Sequence, residues 1–286
     1  MMLLPPRAPF PPSRRSPIRF DPEAAIPHFL RRVIALTRYR DHGVFFPSNW
    51  TLSNYFLYAQ LQLPSKTEID AVGFLAGARF ACDRVIRSMH SPELVDFAAD
   101  NGPKPSIAYE IEEMFESTCY ERLFLTRVRR LGVGVSDLRL TELDFTGVYL
   151  DGVSCQRTTR NNLKAEETLR AVVKETMAEK HKMKQRPIVM EVVSDLSAIK
   201  KKLKKSKVNE SKEDNDVVEK LRLDALFYTV QTVETVSSKT SEKLAVKTEV
   251  KTTLSFESLV TEPDDVDWRI VRMNKLGRLL SRTKVN

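Results

Sequence analysis

The chain has 286 residues, with 46 Lys and Arg against 38 Asp and Glu, a formal charge of +8, and 42% hydrophobic residues. That apolar content fits a packed core of one or two domains and excludes a chain disordered throughout. Three cysteines exclude a disulfide framework, 9 glycines leave little for glycine-rich phosphate loops, and the longest uncharged stretch, His42 to Ser65, is too polar for a transmembrane helix.

Residues 1–20 carry Arg7, Arg14, Arg15 and Arg19 and no acid, and all eight basic residues before Lys66 are arginine. Arginine without acid, beside Ser13 and Ser16, resembles a mitochondrial transit peptide. The prolines of residues 1–12 oppose an amphipathic helix, so a disordered proline-rich tail is the alternative. Cleavage after residue 20 leaves about +4 and after residue 40 about +2, which removes most of the electrostatic case for nucleic acid.

Helical spacing comes next. Residues 23–40 read as a basic helix, and 51–63 place Leu52, Tyr55, Phe56, Ala59 and Leu63 on one face before Pro64. A stronger helix is predicted over Lys66–Met89, with Gly73 and Gly77 inside it. A short one follows over Glu93–Ala99, and another over Ser106–Val128. The period then changes to alternation: a strand over Leu138–Leu150 kinked at Gly147, a turn at Asp151-Gly152, a charged helical stretch at 161–185, and a strand-like Pro187–Val193. A lysine-rich segment, 196–220, precedes three β-rich stretches, Leu221–Val236, Leu244–Val260 and Trp268–Leu276. Helices first and strands after predict an α+β fold, N-terminal helices packed on a twisted, mostly antiparallel sheet.

The sequence offers little chemistry. There is no P-loop, dinucleotide fingerprint or H-E-x-x-H, and Cys82, Cys119 and Cys155 lie far apart. His28, His42, His90 and His181 show no ligand spacing, so neither a metal nor a cofactor is expected. Cys82, beside Phe80 and Val85, reads as a small buried hydrophobe. Glu112-Glu113 reads as a solvated helix face and Asp264-Asp265 as a turn after Pro263.

Two motifs carry a resemblance. Phe74, Gly77, Ala78 and Ala81 form F-x-x-G-A-x-x-A, and Asp267, Trp268, Ile270 and Arg272 form D-W-x-I-x-R. With Asp144–Gly152 and Thr248–Thr261 in the order of a first and a penultimate strand, they resemble the mitochondrial proteins that interact with the matrix AAA protease, within the Tim forty-four-like domain superfamily. The resemblance spans about residues 50–276. It departs from the family at 153–186 and 196–220, which read as charged insertions in a domain over 46–280, after a transit and N-terminal segment over 1–45.

The resemblance implies a cone-like fold related to nuclear transport factor two, without catalysis. It implies an adaptor in the mitochondrial matrix, peripheral to the inner membrane. Such an adaptor binds the matrix AAA protease and an imported inner-membrane protein, and has no small-molecule substrate. A mitoribosomal large-subunit protein or ribosome receptor of the same superfamily is the alternative. An enzyme of this fold would need a polar base, and no His or Asp stands out in the strands as one.

Gly77, Ala78 and Ala81 read as tight helix–sheet packing, with a partner site as the other reading, and Trp268 reads as core. Trp50, Tyr55, Phe56 and Tyr58 are the candidate membrane or partner contact, with packing against the domain as the other reading. Lys200–Lys207 is a solvated loop or a contact for anionic lipid or RNA.

Overall fold

Alternation is strongest in the segment that becomes the centre of the sheet. Leu221, Leu223, Ala225, Phe227, Thr229 and Gln231 are all buried, and they project to one face with a period of two. A computed structural model describes residues 33–133, 135–168, 217–237 and 242–284. The chain divides into two compact units, Met1–Arg38 and Tyr39–Asn286. In the first, residues 33–38 are helical and the Thr37 hydroxyl donates to the Val33 carbonyl.

In the second unit, helices α1 (Thr51–Leu61), α2 (Ala71–Met89), α3 (Pro92–Ala98) and α4 (Ser106–Met114) precede a helical run α5. That run is Ser117–Cys119, then Tyr120–Leu125 with π pitch, then Thr126–Leu131. Strands β1 (Val135–Thr159), β2 (Val217–Ser237), β3 (Lys243–Leu259) and β4 (Arg269–Lys284) follow, antiparallel in the order β1-β2-β3-β4. The fold is α+β, as the order of periods predicts. Leu150, Ala225, Leu254 and Met273 form one cross-strand row, and all four are buried beneath the helices. Val153, Leu223, Phe256 and Ile270 form the next.

Several boundaries differ from the sequence reading. Asp151-Gly152 is no turn, and β1 runs on to Thr159 opposite Val217. The glycine sits at a bulge, where an added Cβ would come within 2.8 Å of Asp224 Oδ2. Residues 153–159 are therefore strand rather than insertion, and 160–168 are helical. Likewise Val217–Lys220 open β2 instead of closing an insertion. Pro187–Val193 and Lys200–Lys207 lie outside the described residues.

The helix read as Lys66–Met89 begins at Ala71, because Asp70 caps it by accepting from the Val72 N–H at 3.1 Å. The helix read over Ser106–Val128 is broken at Phe115 and Glu116. There the Glu116 N–H donates to the Ile270 carbonyl at 3.0 Å, and the Glu116 carboxylate restarts the helix by accepting from the Cys119 N–H. Tyr39, Val44 and Phe45, within the segment read as N-terminal, are buried in the second unit, and the Val44 carbonyl accepts from the Leu150 N–H at 2.7 Å.

Candidate functional site, an apolar cleft at Trp268

Helix α2 places residues 73, 74, 77, 78 and 81 along one stripe below its Asp70 cap, by the i, i+3, i+4 rule. The stripe is mostly small: Gly73, Gly77, Ala78 and Ala81. Gly73 gives the Asp70 cap its space, since a Cβ there would meet Asp70 Oδ2 at 2.9 Å. Gly77 is different, for an added Cβ would find nothing within 4 Å. Its glycine opens onto space and does not admit a packed neighbour.

That space is a cleft of about 480 Å³, lined from α2 by Gly73, Phe74, Gly77, Ala78 and Ala81. Phe256 of β3, Ile270 of β4, Met114 of α4, and Val266 and Trp268 from the β3–β4 connection close its other sides. Phe74 is the shared wall: its ring stands edge-on to Phe256 at 5.4 Å and to the Trp268 indole at 5.0 Å. The charged residues lining it are Glu68 and Asp70, both acidic and exposed at the rim.

The connection carrying Trp268 is held in place. The Ser258 hydroxyl accepts from the Asp267 N–H at 2.7 Å, Arg269 pairs with the Asp267 carboxylate at 2.9 Å, and Glu262 pairs with Lys66. Thr67 donates to the Val260 carbonyl at 2.8 Å. The cleft is thus bounded by a fixed loop on one side and a capped helix on the other.

Six of the eight motif residues converge here: Phe74, Gly77, Ala78, Ala81, Trp268 and Ile270. Asp267 holds the loop, and Arg272 is exposed on β4. Two expectations are corrected. Trp268 is half-buried at the cleft and is not a core residue, and Gly77 marks an opening and not tight packing. Sequence reasoning missed Phe256, Met114 and Val266. Phe256 is opposite Ile270 in the β3–β4 register, a pairing visible only once the strands are aligned.

The aromatic stretch splits. Tyr58 is 3% exposed and packs on Tyr39 at 5.9 Å, so it is no surface contact. Trp50 is 71% exposed and Phe56 63%, with Tyr55 half-exposed beside them. No helix among the described residues is long and apolar enough to cross a membrane.

Among the described residues no group of three or more His, Cys, Asp or Glu side chains could hold a metal ion. Burial pushes the Cys82 thiol well above its usual range and Cys119 up to about 12, the reverse of an activated thiolate. Burial also holds the His90 imidazole down at about 4, with its Nδ1 at 2.8 Å from the Ile86 carbonyl. Glu219, 5% exposed, is disfavoured as an anion by burial. Hydrogen bonds from the Ser65 N–H and hydroxyl and from Arg157 outweigh this and hold its carboxyl below the usual range. This group ties β1 and β2 to the segment before α2. Compared with family models, with curated proteins and with solved structures, the chain matches none.

Proposed function

We propose that the protein is a non-enzymatic binding module whose cleft at Trp268 receives an apolar side chain from a partner protein. The observation that carries this reading is the open space beside Gly77, walled by Phe74, Phe256, Trp268 and Ile270. An apolar pocket with a fixed wall takes a buried anchor residue of the kind that dominates protein interfaces. The acidic rim of Glu68 and Asp70 favours an anchor flanked by Lys or Arg.

The motif resemblance supplies the partner class: the matrix AAA protease, with an imported inner-membrane protein as its client, in the mitochondrial matrix. The acid-free, arginine-bearing residues 1–20 support that location. Exposed Trp50, Tyr55 and Phe56 support a peripheral contact with the inner membrane, because aromatic rings settle at the headgroup level. The test is co-purification of the protease with the protein in mild detergent, compared with a Gly77→Phe variant that fills the cleft. The protease is expected with the first and not with the second.

A further inference from the structure

The edge of β4 is covered for only part of its length. At its start the Ile270 carbonyl accepts from the Glu116 N–H at 3.0 Å, and the Met273 carbonyl accepts from Arg127 Nη2 at 3.1 Å. Beyond that point no described strand pairs with it, and every residue from Leu276 to Lys284 is exposed. Leu276 is 72% exposed and Leu279 59%.

In an extended strand the N–H and C=O of one residue point the same way, and alternate residues point oppositely. Since the Met273 carbonyl points outward, so do the backbone groups of Lys275, Gly277 and Leu279, with no register shift between them. A bulge between Leu279 and Ser281 ends this regular stretch.

Side chains give the edge its chemistry. Residues 274–284 hold four basic residues and no acid: Lys275 donates inward to Gln231 Oε1 at 3.2 Å, Lys284 pairs with Glu242 at 2.8 Å, and Arg278 and Arg282 are exposed along the edge. On the outer face Arg278 stands across from Glu249, and Leu276 across from Lys251. On the inner face Gly277 leaves a gap: an added Cβ would meet only Val250 Cγ2, at 3.8 Å.

We infer that β4 from Lys275 to Leu279 is a docking edge for an extended acidic segment of a partner protein, which adds a fifth strand to the sheet. The segment alternates, with a carboxylate on the outer face against Arg278 and a large apolar side chain on the inner face over Gly277. Main-chain hydrogen bonds hold the strand, and the alternate side chains select it. The edge is separate from the cleft, so Gly77→Phe leaves this binding unchanged and the two readings fail independently.

The probe is a short fluorescent peptide alternating Glu with Val and Phe, titrated by anisotropy, with amide hydrogen exchange followed in parallel. Saturable binding is expected, with exchange slowed at Lys275, Gly277 and Leu279. Gly277→Pro removes an outward N–H without touching the β3 ladder, and Arg278→Glu reverses the charge. Each is expected to weaken binding by about tenfold or more at unchanged thermal midpoint. The same peptide with Lys for Glu should not bind. Equal binding by Arg278→Glu, no slowed amides, or an RNA oligomer or anionic vesicle binding in the peptide's place would overturn the inference.

Discussion

The Phe74 ring meets the Trp268 indole at 5.0 Å between centroids, with 60° between their planes. One residue comes from the first full turn of α2 and the other from the connection into β4. Their contact fixes the distance between the two sides of the cleft, and aromatic edge contacts of this kind add about 0.5–1.5 kcal/mol beyond area burial.

Trp268→Ala is therefore expected to lower stability by about 2 kcal/mol, less than the 3–5 kcal/mol typical of a fully buried aromatic. Chemical denaturation of the two proteins measures it. A loss near 5 kcal/mol would return Trp268 to the core.

Gly77 separates stability from binding. With open space at its Cβ in mid-helix, Gly77→Ala should stabilise the fold by about 0.5–1 kcal/mol through helix propensity. A lowered thermal midpoint would mean that something packs there after all.

Much of this was legible in the sequence. The helix-to-strand change of period gives the architecture, and the two motifs name six residues that line the cleft. Why the cleft is open was not legible. A glycine in a helix reads equally well as a close contact or as a gap, and only the position of Phe256 and Trp268 decides between them. Asp151-Gly152 misled for a related reason. The pair has turn chemistry, yet Leu150 and Val153 on either side are buried against a β2 long enough to pair with both. Tyr58 could not be told from Tyr55 by composition, since α1 has no charged residue to mark its outer face.

His90 makes stability depend on pH. Its folded value, about 4, lies below the ordinary 6.5, so the unfolded chain takes up the proton first as pH falls. The stability it contributes is complete above about pH 6.5 and is lost between there and about pH 4, roughly 3 kcal/mol in all. Denaturation midpoints across that range should fall for the native protein, and His90→Gln should flatten the curve. An unchanged slope would place the titration elsewhere.

Glu219 acts lower on the scale. Its depressed carboxyl contributes stability above the usual carboxylate range, and that is lost as pH falls through its folded value. Glu219→Gln is expected to cost about 1–3 kcal/mol at pH 7, through weakened bonds to Ser65 and Arg157. The difference from the native protein should shrink below about pH 4. A constant difference at all pH values would show that charge is not the cause.

Salt-resolved co-purification decides whether the cleft serves the matrix AAA protease, as proposed. From mitochondria extracted in mild detergent, the native protein should bring the protease with it through RNase treatment and moderate salt, because a buried apolar anchor is little affected by screening. Gly77→Phe should lose the protease while keeping its fold. A protein that instead sediments with ribosomal large subunits, weakens steeply with salt and is freed by RNase would contradict the account and put the ribosomal reading in its place.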